Sequence, residues 1–340
     1  MNRNRDLKYE IIRVIAMIFV IAIHQIDAVS TKGNILYFFV SLILLTCNPL
    51  FFMLSGKFAL KFNSEEKDSY KKYYLNKLIK IIIPVFIYML IKEWYLLKFI
   101  FHIPITFSVY LKSLVLSITE GFSSTEYWFI YTLLANLLVV PFTSRIFKNL
   151  KKKEMKLFIG IGLLYNTLLS YLKLIDIELQ FSYYLAGHNL YFYLGYCIDY
   201  FTKTKKDKKI VFTLGIISYI LSFIQLHIGK YANIYDFAPT FFFISCMVYV
   251  VIRDYVKVNR LKNVILFLGK YSFSIYLVHM MMMDFMTLIF PYNNSVPMFL
   301  YIVIKIVMIL ISSLLLVVII DNTIIRIIKV ITSKILKIRK

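Results

Sequence analysis

Residues 9–28 read YEIIRVIAMIFVIAIHQIDA. An apolar run of this length spans a bilayer, because a helix rises ~1.5 Å per residue through a hydrocarbon core of ~30 Å. Yet the run carries Glu10, Arg13, His24 and Asp27. Ionisable groups are expensive in hydrocarbon, and where they occur they face the bundle interior and mark function. Working outward, nine further apolar runs follow, over 35–60, 78–101, 127–143, 157–174, 184–201, 210–228, 237–252, 264–290 and 297–320. The fold expected is an all-α polytopic integral membrane protein. About ten transmembrane helices would form a single membrane domain over 1–340.

Composition excludes the main rivals. The chain has 340 residues, 60% of them hydrophobic, with 40 Lys+Arg against 18 Asp+Glu. A soluble domain is about half apolar and about a quarter charged. A disordered basic tail needs low hydrophobicity, and nucleic-acid binding would explain the charge without the apolar excess. The positions of the cations settle the matter. If the N-terminus is cytoplasmic, the segments 1–10, 61–80, 144–156, 202–209, 253–263 and 321–340 hold 30 of the 40 basic residues. The outer loops hold Lys32, Lys112 and Lys230. That asymmetry is the positive-inside pattern, and it places both termini in the cytoplasm. Arg3, Arg5 and Lys8 before an apolar run mimic a signal peptide, but no small-x-small cleavage site follows, so the first helix is expected to be retained. The outer segment 102–126 is expected to hold a helix on the membrane surface near Val109 to Ile118. Cys47, Cys197 and Cys246 fall inside spans and read as packing residues, not as a disulfide framework. No metal site is expected, since neither CxxC nor HExxH occurs.

The polar residues in the spans define the candidate site. Arg13 and His24 are 11 residues apart, close to three helical turns, so they share a face roughly 16 Å apart along the axis. Met17 and Val20 fill the stripe between them. An Arg that snorkels to the surface and an ordinary core histidine would look the same. The second span ends in Pro49-Leu50-Phe51-Phe52-Met53-Leu54-Ser55-Gly56-Lys57. Proline frees backbone groups there, and Gly56 lets another chain or a ligand come close. Lys77 and Lys80, at offset 3, read as a phosphate clamp or as ordinary topological charge. On the outer side, Glu126-Tyr127-Trp128-Phe129 reads as an aromatic belt or as a stacking platform for a sugar with a carboxylate beside it. His279 lies deep in the ninth span. Glu93 and Lys305 need intramembrane partners that the sequence cannot name.

Taken together these motifs resemble the acyltransferase 3 family, integral membrane enzymes that acylate cell-surface carbohydrates. The resemblance is carried by Arg13 and His24 with ten residues between them, and by Phe51-Phe52-Met53-Leu54-Ser55-Gly56. Tyr127-Trp128-Phe129-Ile130 and Ser272-Phe273-Ser274-Ile275-Tyr276-Leu277-Val278-His279 support it. Where family members often have two arginines three apart before the third span, this chain has Lys77 and Lys80, which lack the bidentate fork. No extra soluble domain of the kind some longer members carry is expected. The resemblance implies transfer of an acyl group, usually acetyl, from cytoplasmic acyl-CoA to a sugar hydroxyl. Acetyl-CoA or another acyl-CoA would be co-substrate, held by Arg13, Ser55, Lys57, Lys77 and Lys80. His24 would be the general base with Arg13 on its helix face, and His279 would polarise the carbonyl or hold the acceptor. Glu126 and Trp128 would contact the sugar. The expected partners are a glycan or lipid-linked sugar, the lipid bilayer and glycan-synthesis machinery, with no nucleic acid. The Lys-, Ile- and Asn-rich composition suggests the AT-rich genome of a low-GC bacterium, and the expected location is its plasma membrane. The competing reading is a polysaccharide exporter, flippase or polymerase subunit without acyl chemistry, which explains intramembrane charge equally well.

Overall fold

A computed structural model describes residues 6–29, 35–63, 65, 68–119, 127–172, 175–177, 186–227, 238–292 and 296–336. Most of these residues are helical, with no strand among them. The helices are α1 (Leu7–Val29), α2 (Ile35–Leu44), α3 (Cys47–Ala59), α4 (Ser69–Lys77), α5 (Ile83–Tyr95), α6 (Phe107–Thr119) and α7 (Trp128–Asn149). They continue with α8 (Lys152–Leu172), α9 (His188–Phe201), α10 (Lys205–His227), α11 (Pro239–Tyr255), α12 (Lys262–Ile289), α13 (Met298–Ile320) and α14 (Arg326–Ile335). Wider π turns over Leu78–Ile82 and Asp321–Ile325 join α4 to α5 and α13 to α14. Among the described residues, seven helical segments are long and apolar enough to cross a membrane. The other three predicted spans are α9 and α11, of 14 and 17 residues, and α10, which opens with five charged residues. A helix also forms at the predicted surface position, as α6.

Several boundaries differ from the sequence reading. The second run is two helices, broken at Leu45 and Thr46. Pro49 has no N–H to give to the Leu45 carbonyl, and the Cys47 thiol lies 3.7 Å from that oxygen instead. The third helix begins at Ser69, inside the segment expected to be a cytoplasmic loop, and the last continues through the π turn to Ile335.

The chain divides into two compact units, residues 1–63 with 132–269, and residues 64–131 with 270–340. In the first, α1, α3, α9 and α11 form the centre, and α2, α8 and α10 pack around them. The closest approach is α3 against α9. A Cβ on Gly56 would lie 1.7 Å from the Phe192 carbonyl oxygen, and one on Gly195 would lie 1.9 Å from that of Met53. Between apolar helices in lipid, association rests on such close backbone packing. Outward-facing apolar residues, among them Phe212, Ile216, Ile220 and Ile224 on α10, are exposed. An apolar face of that extent is at home in hydrocarbon.

In the second unit α6 is docked by polar groups. Buried Glu93 accepts hydrogen bonds from Ser113 and Ser117 at 2.8 and 2.5 Å, and the Tyr110 hydroxyl donates to the Leu90 carbonyl at 2.7 Å. Its opposite face, Phe107, Leu111, Val115 and Ile118, is exposed and apolar. The buried Lys305 ammonium donates to Thr287 and to the Tyr301 hydroxyl at 2.8 and 3.0 Å.

The α3–α9 contact yields a direct test. Gly56→Ala forces a methyl group into a main-chain carbonyl that cannot swing aside, so it should cost about 3 kcal/mol or more, the upper end of overpacking. Gly160→Ala, inside α8 and with nothing within 4 Å of its added Cβ, should leave thermal stability unimpaired and raise it by up to about 1 kcal/mol, since alanine is the better helix former. Melting curves of the two variants in detergent check both outcomes.

Candidate functional site

The first unit holds four of the residues singled out from sequence. α1 is unbroken from Leu7 to Val29, so Arg13 and His24 stay on one stripe, with Met17 and Val20 buried between them. Both are partly exposed, unlike their apolar neighbours. Arg13 Nη1 donates to Glu10 Oε1 at 2.7 Å, one turn earlier on the same helix. Glu10 is itself buried, and its other oxygen lies where a Cβ on Gly269 would be only 2.1 Å away. Glycine at 269 is therefore what admits this carboxylate, and the carboxylate aligns the guanidinium. Ser55 is partly exposed on α3.

Lys57 is drawn into a charge network. Its ammonium pairs with Asp199 on α9 and lies 4.4 Å from the centre of the Tyr9 ring. Asp199 also accepts from Arg253 Nη1 on α11 at 2.7 Å. Arg253 Nη2 reaches Thr202 at 3.0 Å, and the same guanidinium grips Asp254 at 2.8 and 2.7 Å. Lys208 on α10 closes the chain on Asp254 at 2.8 Å. Asp254 lies beyond the apolar part of α11. Burial alone would raise its carboxyl, but hydrogen bonds from Arg253 and Lys208 outweigh that and hold it at about 2. Beside Asp199 a cavity of about 230 Å³ is lined by Lys57, Lys61, Lys203, Tyr196 and Tyr200. Sequence reading found Lys57 but not Asp199, Arg253 or Asp254. The available signal was acidic residues at helix ends in a chain with few acids.

The second unit holds the others. His279 is buried, and its Nδ1 lies 2.5 Å from the Tyr276 carbonyl oxygen. A carbonyl only accepts, so Nδ1 carries the hydrogen and the neutral ring presents Nε2 as an acceptor. Tyr127 and Phe129 are buried against the same helix. The Tyr127 hydroxyl donates to the Leu277 carbonyl at 3.3 Å, and Phe129 lies 5.0 Å from the Tyr276 ring. Trp128 points outward and is exposed. Glu126 lies outside the described residues. Lys77 and Lys80 are not equivalent, because the π turn after Lys77 changes the register. Lys77 is partly buried with its ammonium 5.1 Å from the Tyr73 ring, whereas Lys80 is exposed. The Ser272–His279 motif also has a structural member. Ser274 donates to Asp321 at 2.8 Å, and Tyr88 donates to the same carboxylate at 2.7 Å.

These features define a multi-pass helical membrane protein whose spans hold an aligned arginine and two histidines. The chain belongs to the acyltransferase 3 family: the family model described as an acyltransferase domain matches residues 6–318. It is therefore a membrane acyltransferase. No curated protein and no solved structure matches it.

The network makes two predictions. Arg253→Met removes four hydrogen bonds and leaves two carboxylates short of a partner. Stranding buried charge costs about 3–5 kcal/mol, and the low end applies because Asp199 keeps some contact with water. A lowered melting temperature checks it. Asp254 makes the loss pH-dependent. Its folded value lies below the ordinary ~3.9, so its contribution is complete above about pH 4 and is lost as the pH falls toward 2. The gap in melting temperature between wild type and Asp254→Asn should be constant from pH 7 to 5 and close below pH 4.

Proposed function

We propose that the protein transfers an acetyl group from cytoplasmic acetyl-CoA to a hydroxyl of a cell-surface or exopolysaccharide sugar, in a bacterial plasma membrane. The observation that carries this reading is α1, which in an acyltransferase holds Arg13 and His24 on one stripe, with Arg13 aligned by Glu10. In the mechanism His24 is the general base. It takes the proton from the sugar hydroxyl as that oxygen attacks the thioester carbonyl. The C–S bond then breaks, and the imidazolium returns the proton to the departing CoA thiolate. Neutral imidazole near pH 7 suits both transfers.

Arg13 and Ser55 meet the phosphorylated part of the donor. A guanidinium held by one carboxylate still offers donors to phosphate oxygens. Lys57 has its charge balanced by Asp199, so its share in donor binding is through the basic wall it forms with Lys61 and Lys203. Lys77 and Lys80 are phosphate ligands as point charges. His279, in the motif Ser272–His279, is the residue proposed to hold the acceptor. In its protonated form it polarises the carbonyl. Trp128, exposed at the start of α7, offers a ring face to the sugar together with Glu126.

The test uses membranes carrying the full chain, labelled acetyl-CoA and capsule-type glycan. His24→Ala should lower kcat/KM by about 10²–10⁴, the usual share of a general base. Glu10→Gln should raise the KM for acetyl-CoA with little change in kcat. Full activity of His24→Ala would overturn the mechanism, and saturable acetyl-CoA turnover without glycan acylation would overturn the acceptor.

A further inference from the structure

A second cavity lies in the first unit, away from Arg13 and His24. It has a volume of about 350 Å³ and runs between α10 and α11. That is the lower end of the ~300–1,000 Å³ range of ligand pockets. Its composition changes along its length. At one end are Lys205, Lys208 and Lys209, and deeper are Phe212, Met247 and Val251. On α10 the positions 205, 208, 209 and 212 form one stripe at helical spacing, as do 247 and 251 on α11. Cations thus give way to hydrocarbon within seven residues, about 10 Å of helix.

The three lysines are not alike. Lys208 is committed to Asp254 at 2.8 Å, which ties the start of α10 to the end of α11. Lys205 and Lys209 are exposed and make no ion pair among the described residues. They lie in the basic segment that the charge asymmetry assigns to the cytoplasmic face. Anionic headgroups are enriched in that leaflet, and basic pockets between membrane helices bind them. A ligand that matches the groove needs an anion at one end and a hydrocarbon chain continuous with it. A soluble phosphate satisfies only the first requirement, and a neutral lipid only the second.

We infer that this groove is a binding site for one anionic phospholipid of the cytoplasmic leaflet, with its phosphate on Lys205 and Lys209 and one acyl chain along Phe212, Met247 and Val251. The site is separate from the acyl-transfer residues and stands whether or not the proposed acceptor is correct.

The experiment is native mass spectrometry of the full chain, exchanged into equal amounts of phosphatidylglycerol and phosphatidylethanolamine with identical chains. Wild type should retain one phosphatidylglycerol with at least tenfold preference under activation that strips phosphatidylethanolamine. Lys205→Gln with Lys209→Gln should lose that one lipid, and Lys205→Arg with Lys209→Arg should keep it. Val251→Trp should fill the chain groove and reduce retention at least fivefold with both lysines present. The inference is overturned if the glutamine variant retains phosphatidylglycerol as wild type does, or if Val251→Trp has no effect. It is also overturned if millimolar glycerol 3-phosphate displaces the lipid, since the groove would then read phosphate alone. Should the glutamine variant fail to fold, the wild-type competition and Val251→Trp decide by themselves.

Discussion

The backbone contact between α3 and α9 is the constraint from which the first unit is built. Two carbonyl oxygens, of Phe192 and Met53, rest where any side chain at 56 or 195 would collide. Such a contact has little freedom of register. Lys57 follows Gly56 directly, and Asp199 lies one turn beyond Gly195, so docking the glycines delivers the ammonium to the carboxylate. Asp199 then recruits Arg253 from α11, and Asp254 recruits Lys208 from α10. Four helices are tied at one end through groups that no hydrocarbon would tolerate alone. Buried ion pairs add little net stability against the cost of desolvation. Here they specify which helix ends meet.

In the second unit, hydroxyl groups surround the charges. Glu93 is met by two serine hydroxyls, Lys305 by a threonine and a tyrosine, and Asp321 by a tyrosine and a serine. Hydroxyl groups supply the hydrogen bonds to these ions. The contrast with α1 is informative. Arg13 has its carboxylate yet keeps 28% of its side chain exposed, and His24 is also partly exposed. Arg13 thus stays partly open to its surroundings after its structural partner is counted.

Much of the fold was legible before any coordinates. Apolar runs located every helix later found to be long enough to span, because hydrocarbon thickness leaves few ways to arrange such runs. The α1 stripe was legible as well, since helical periodicity alone places Arg13 above His24. The break at Leu45 and Thr46 was signalled by Pro49, though the proline was read as a feature of the helix end. The site was legible only in part. Lys57 was read as a donor-binding residue without its partner, because nothing in its neighbourhood in sequence reveals Asp199, 142 residues away. The motif Tyr127-Trp128-Phe129 was read as a unit, an aromatic belt or a stacking platform, whereas two of its rings are buried against α12 and only Trp128 faces outward. Neighbouring positions on a helix point about 100° apart, and only the packing says which of them meets protein.

The sequence by itself determined that this chain is a helical membrane protein, and that Arg13 and His24 share one face of α1. Each of these follows from periodicity and transfer energy, which are local. Tertiary structure alone decided which charges are occupied and which are offered. It paired Lys57 with Asp199, set Glu10 against Gly269, and left Lys205 and Lys209 over an apolar groove. The reason is physical: pairing depends on which helix faces are pressed together, and in this chain that was settled by two glycines and the carbonyls they admit.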